Sequence, residues 1–221
     1  MCGRFTLTLD PEAIQQELGV VMPADYTRHY NVAPSHPVAV VTDAASRQAR
    51  WMRWGLIPSW AKDPQIGNKL INARSETLEE KPSFRSAFAR RRCLVIADGF
   101  YEWLKQPKPR RAQPYFFRRA DGKPFAFAGL WEVWRSPEGQ EVQSCTIITC
   151  DANACVAAVH PRMPVMLSGE SLWAWLELNR PSELAALLKP YPAEQMIRYP
   201  VTPLVSKPDL DIPDLIAPLA V

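Results

Sequence analysis

The chain has 221 residues, is 47% hydrophobic and carries eight Trp, eight Phe and six Tyr, which suffices for one sizeable core, is short for two, and excludes a disordered segment. A net charge of +3 diagnoses no nucleic-acid binder unless the charge is clustered. No stretch approaches the roughly 20 apolar residues of a membrane span, the start Met1-Cys2-Gly3-Arg4-Phe5 lacks the apolar core of a signal peptide, and five cysteines, an odd number, argue against a disulfide framework, so a reducing, cytoplasmic setting is expected.

Twenty-two prolines against nine glycines predict short elements separated by stiff turns. Asp10 to Leu18 reads as a helix, with Asp10 as cap, Pro11 in the first turn and Glu12 behind it. Residues 37–42 (PVAVVT) and 49–54 read as strands joined by a turn, and apolar, β-rich runs follow at 93–97 (CLVIA), 115–118, 125–131 and 144–149. Helical stretches are expected at 77–81, 83–89, 152–159, 171–177 and 181–188, the last opening with Pro181-Ser182-Glu183. Strands interleaved with short helices, without regular βαβ spacing, predict an α+β fold: a single domain over 2–221, around an antiparallel or mixed β-sheet with short flanking helices. Residues 208–221 read as an extended, proline-punctuated C-terminal tail.

Position two carries the most chemical information. A small second residue permits removal of the initiator methionine, and the exposed α-amine of Cys2 then has a pKa of ~7.7–8.0 beside a thiol at ~8.5. A free 1,2-aminothiol condenses with an aldehyde to an imine, and its sulfur closes on the imine carbon to give a thiazolidine. The competing reading makes Cys2 a small buried hydrophobe at the start of a strand.

Further along, Arg53-Trp54-Gly55-Leu56-Ile57-Pro58-Ser59-Trp60 sets an arginine and two indoles around a Gly/Pro turn. Such rings can stack on unpaired bases or fill the core; Trp60, between Ser59 and Ala61-Lys62, is expected to be exposed. Asn72 and Arg74 precede a helix start at Ser75-Glu76-Thr77, so Arg74 is either a phosphate clamp or a salt-bridge partner of Glu76 or Glu79. In Asp98-Gly99-Phe100-Tyr101-Glu102-Trp103 the flanking aromatics either desolvate Glu102, raising its pKa as a general acid/base requires, or leave it on a solvent-facing strand. His160, next to Pro161 and two residues before Arg162, suits proton transfer but equally a structural role. Basic residues gather at Arg90-Arg91-Arg92 and at Lys105, Lys108, Arg110 and Arg111, the latter reading as a solvated hairpin tip within reach of nucleic acid. Cys145, Cys150 and Cys155, five apart, lack zinc spacing, and no metal is expected.

Taken together, MCGRF at 1–5, YNVAP at 30–34, RWGLIPSW at 53–60, INARSET at 71–77, DGFYEW at 98–103 and HPRMPV at 160–165 resemble the SRAP (SOS response-associated peptidase) family, in order and along essentially the whole domain. The resemblance implies a sensor of abasic sites in single-stranded DNA that forms a covalent thiazolidine crosslink through Cys2 once Met1 is removed. It implies that Asn72 positions the aldehyde or the cysteine, that Glu102 assists proton transfers, and that His160 protonates the sugar oxygen. Arg4, Arg74 and Arg162 match positions that hold phosphates flanking the lesion, and Pro34 and Trp60 lie in blocks that shape the DNA channel. Neither cofactor nor metal is implied; the expected partners are abasic single-stranded DNA and the replication machinery, with a monomeric chain and no membrane. Ala61 departs from the pattern, following Trp60 where some members have a second large side chain. Cys93, Cys145, Cys150 and Cys155 have no implied role, and His29 and His36 are expected to be structural. Two other functions compete: a cysteine peptidase with Cys2 as nucleophile, His160 as base and Asn72 as orienter, and a non-catalytic single-strand binding module.

Overall fold

The computed structural model describes residues 2–107 and 112–219. In chain order the strands are β1 (Phe5–Leu7), β2 (His29–Val32), β3 (Pro37–Val41), β4 (Arg50–Trp54), β5 (Asn72–Arg74), β6 (Arg92–Ala97) and β7 (Gly99–Leu104). They continue with β8 (Gln113–Arg119), β9 (Phe125–Arg135), β10 (Glu141–Asp151), β11 (Arg162–Pro164), β12 (Met166–Leu167) and β13 (Met196–Pro200). The α-helices are α1 (Pro11–Leu18), α2 (Arg85–Arg90), α3 (Ala154–Ala157), α4 (Glu170–Glu177) and α5 (Pro181–Leu187).

Five strands close a small barrel: β10 pairs β4, β4 pairs β3, β3 pairs β6, β6 pairs β9, and β9 returns to β10. Every pair is antiparallel except β4–β10, a parallel seam of two register pairs, Ser144↔Arg53 and Cys145↔Trp54. Gly129 lets β9 pass close to its neighbours: a Cβ there would stand 2.8 Å from the Thr146 carbonyl oxygen and 3.0 Å from Cys93 Sγ. Beyond the barrel, β10 continues and carries β5 in parallel (Ile147↔Asn72 to Thr149↔Arg74) and β11 antiparallel (Thr149↔Pro164 to Asp151↔Arg162).

A second sheet runs β13-β8-β7-β1-β2. It packs on the barrel through aromatic edges: Phe5 meets Trp54 at 5.2 Å and Phe127 at 5.6 Å between ring centroids, and Phe100 meets Phe127 at 6.3 Å. Asp98 and Gly99 form the corner at which the chain leaves the barrel for this sheet. A Cβ on Gly99 would fall 2.2 Å from the Phe116 ring, so only glycine turns that corner.

The α+β fold around mixed sheets with short helices stands as expected, and the long strands occupy the predicted stretches. The helix expected at 77–81 is instead a 3-10 turn at Ser75–Thr77, and that at 152–159 shrinks to α3. The reason is that β5 and β11 flank these segments and draw the chain onto β10. Residues 208–219 are not simply extended. They make a 3-10 turn at Pro213–Ile216 and bury Leu215 against Tyr101, Phe116, Val201 and Val205. Asn31 secures their start by donating to the carbonyls of Lys207 (2.9 Å) and Leu210 (2.8 Å). The basic run 90–92 is not a surface cluster either, for Arg92 is buried. Lys108, Arg110 and Arg111 lie outside the described residues.

Candidate functional site

Cys2 reaches the site because β1 is fixed to β7. Phe5 stands opposite Phe100 and Thr6 opposite Gly99, and the Tyr101 N–H donates to the Arg4 carbonyl at 3.0 Å. The buried carboxylate of Asp98 secures that register from its other end, accepting from the Thr6 hydroxyl, from the Thr8 N–H and hydroxyl, and from the Leu9 N–H. A two-residue slip of β1 would break all four bonds and carry Cys2 about 7 Å from its place. Asp98 opens the DGFYEW motif, which by itself assigns it no role. The signal in the sequence is an acid directly after the apolar run 93–97, where a carboxylate needs several donors.

Cys2 itself is fully buried. Its carbonyl accepts from Asn72 Nδ2 at 2.8 Å, and its thiol lies 3.7 Å from the Arg4 carbonyl. Burial pushes the thiol pKa well up, so the resting group is a thiol, not a thiolate. Asn72 Oδ1 is buried without a hydrogen-bond partner among the described residues, leaving an acceptor within the site.

Glu102 projects from β7 toward Cys2 and is 3% exposed; the alternative of a solvent-facing carboxyl is overturned. Burial raises its pKa to about 7, where it can both give and take a proton near neutrality. His160 Nδ1 lies 4.0 Å from Glu102 Oε1 and 3.1 Å from the Arg162 N–H. Partial burial holds the imidazole below its usual pKa. Asn72 from β5, Glu102 from β7 and His160 from the loop before β11 thus meet where the two sheets join, with the β1 end between them.

The remaining predicted residues lie in differing settings. Arg74 is exposed, two positions after Asn72 on the same face of β5, and Glu76 pairs not with it but with Arg162. Arg162 makes a fork to Glu76 (2.6 and 3.0 Å), a bond to Asp151 (2.7 Å) and one to the Thr149 carbonyl (2.8 Å). This ties β11 to β10 and braces the His160 loop. Arg4 is partly buried and donates to the Gly3 carbonyl at 3.1 Å, and its charge reaches His36. Pro34 sits in a turn from Ala33 to His36, closed by the His36 N–H on the Ala33 carbonyl at 3.1 Å. Of the two indoles, Trp54 is buried and donates to the Ile71 carbonyl, beside Asn72, at 2.9 Å, whereas Trp60 is 58% exposed. His29 packs on Trp51 and bonds Asp211, and His36 bonds within its own turn. Among the described residues no group of three or more His, Cys, Asp or Glu is arranged for a metal ion, and no helix is long and apolar enough to cross a membrane.

A buried cysteine just ahead of the first strand, held by an amide and faced by a carboxyl of near-neutral pKa and an imidazole, gives this single-domain α+β protein a candidate site built around its leading strand. The chain belongs to the SOS response associated peptidase (SRAP) family, whose model matches residues 1–208. It is 43% identical over 222 residues to the abasic site processing protein YoqW of Bacillus subtilis, covering 98% of this chain and 99% of that one. To the abasic site processing protein HMCES of Rattus norvegicus it is 30% identical, covering 99% of this chain and 76% of the relative. A solved structure of a protein from Bacteroides thetaiotaomicron superposes with a TM-score of 0.90 at 26% identity, over 99% of this chain and all of that one.

Proposed function

We propose that the protein captures abasic sites in single-stranded DNA by forming a thiazolidine between Cys2 and the ring-opened sugar. The observation that supports this most is the convergence on Cys2 of Asn72 Nδ2 and a carboxyl, Glu102, whose pKa is about 7. An abasic sugar is a closed hemiacetal with a minor open aldehyde, and opening needs an acid at the ring oxygen and a base at the hydroxyl. Glu102 and His160 supply that pair. With Met1 removed, the Cys2 amine adds to C1′ and water leaves, giving an imine. Sγ then bonds the same carbon while the thiol proton passes to the nitrogen. The five-membered ring so formed contains C1′, nitrogen, Cα, Cβ and sulfur, and the net change is loss of one water.

Arg74 and Arg4 offer cationic contacts for the phosphates beside the lesion, and Trp60 an exposed ring for a base. Arg162 can join them only by exchanging a carboxylate for a phosphate. Sequence readout is not required, so binding weakens with salt and tolerates varied flanking bases. The crosslink shields the lesion from strand cleavage.

The test is intact mass of the processed protein after incubation with abasic single-stranded DNA. The expected product weighs the sum of the two less one water and survives denaturation, and Cys2→Ala abolishes it. Full adduct yield from that variant would remove Cys2 from the mechanism. A peptidase acting on other chains would need a thiolate, which burial of this thiol opposes; turnover of an unrelated peptide would reverse that judgement.

A further inference from the structure

Arg53 lies on the outer face of β4 between the buried side chains of Met52 and Trp54. Its Nη2 donates to Ser35 Oγ at 2.8 Å and to Asn68 Oδ1 at 2.7 Å, and the Ser35 hydroxyl donates to the same Asn68 oxygen at 3.1 Å. Both partners are neutral, and no ion pair of Arg53 occurs among the described residues. Three other partly buried arginines differ, Arg91 pairing with Glu132, Arg119 with Asp121 and Arg162 with Glu76, whereas Arg4 beside Cys2 likewise has only a neutral partner among the described residues. Arg53 Nε is moreover buried without a hydrogen-bond partner among the described residues. A guanidinium whose Nη2 is fixed by neutral oxygens keeps its charge and its Nη1 hydrogens for an anion from outside.

Ser35 strengthens the point. It holds a left-handed φ of 74°, which glycine would adopt at lower cost, yet its hydroxyl is the group that touches Arg53 and Asn68. Beside the guanidinium opens a hollow of about 590 Å³, with Ile57, Trp134 and Val142 on its floor and Lys62 and Gln65 on its rim. Glu138 stands on the far rim as a single opposing charge. That volume lies in the range of small-molecule sites, and an apolar floor with a cationic edge is the setting a nucleoside and its phosphate require. The Ala33–His36 turn links the hollow to the candidate site: the Ser35 hydroxyl accepts from Arg53, the Ser35 N–H donates to the Trp54 carbonyl at 2.8 Å, and the Trp54 indole donates to the Ile71 carbonyl beside Asn72.

We propose that Arg53, set by Ser35 and Asn68, binds a backbone phosphate of the strand whose lesion lies at Cys2, and that the adjoining hollow takes the attached nucleoside. The site rests on the single-stranded DNA reading above and extends it to a nucleotide away from the lesion. Its shared chemistry is a nucleoside phosphate, within a strand or free.

The experiment compares noncovalent affinity for intact strands, a short one and the same strand lengthened on each side in turn, across a salt series. The wild type is expected to gain affinity on lengthening one side. Arg53→Gln and, at the exposed rim, Lys62→Gln are each expected to lose most of that gain, with the log–log salt slope falling by about 0.7 per charge removed. A gain retained in full by both variants overturns the proposal, as does a wild type indifferent to length. Adenosine monophosphate, titrated in parallel, separates the sources: binding that depends on Arg53 while length has no effect would assign the hollow to free nucleotides and overturn the strand assignment. Adduct formation by the wild type on a short abasic strand is scored separately, so failure of the crosslinking reading is distinct from failure at Arg53.

Discussion

Glu102 is the residue whose chemistry and stability pull in opposite directions. Its carboxyl ionises near 4.5 when unfolded and near 7 when buried, so the native state binds more protons between those values. Stability therefore falls as pH rises through that window. Glu102→Gln is expected to exceed the wild type in stability above pH 7 by at most ~3 kcal/mol, and to match it below about pH 4, as urea denaturation at the two pH values will show. The same variant should lose the inflection near pH 7 in the rate of adduct formation. A neutral amide that left the pH–rate profile unchanged would exclude Glu102 as the proton carrier. Asn72→Ala removes the donor to the Cys2 carbonyl and is expected to slow adduct formation at least tenfold, about 1.4 kcal/mol, while strand affinity changes little. The aminothiol chemistry open to Cys2 was legible from its position, and only the ordered motif blocks set it above a buried structural role; the burial of Glu102 was not legible at all. Alternation along β7 allows either face, and only the strands paired around it decide which side is closed. The acid partners of Arg162 were not legible for a related reason, since they lie 11 and 86 residues away in sequence.

At the level of elements, Arg92 shows how a charge can replace conventional helix caps. Its guanidinium donates to the carbonyls of Phe88 in α2, and of Trp175 and Leu178 at the end of α4, at 2.6–3.0 Å. Those are unsatisfied C-terminal carbonyls of two helices, and a cation suits them. Replacing it by methionine leaves buried oxygens without donors and is expected to cost about 3 kcal/mol, roughly 6–12 °C in melting temperature. Calorimetry checks this, and a loss below ~1 kcal/mol would mean that water replaces the guanidinium. Gly99→Ala should be worse tolerated, because its methyl meets Phe116 and Thr6 at the corner between sheets. The long barrel strands could be read from their apolar runs, whereas β5, β11 and β12 could not. These are two or three residues long and exist because β10 and β9 offer open edges, a property of the neighbour and not of their own composition.

For the whole molecule, the C-terminal segment is part of the fold. Deleting 208–221 would uncover Tyr101 and Phe116 and remove buried Leu215, at an expected cost of about 2–4 kcal/mol. A truncated chain with unchanged melting temperature would contradict that packing. The apolar floor that this segment covers was not legible in the sequence, where 208–221 reads only as an extended, proline-punctuated tail. Finally, β10 is at once a stave of the barrel and the rail on which Asn72, Arg74 and Arg162 ride. Hydrogen exchange at the amides that tie their strands to β10, those of Ile147 (to the Ile71 carbonyl, 3.1 Å) and Val165 (to the Ile148 carbonyl, 2.9 Å), should consequently be as slow as in the barrel wall, reporting complete unfolding in place of local fraying. A site mounted in this way is expected to fail all at once: a weakening substitution anywhere in the stave should lower the population of competent molecules and leave the survivors at full speed.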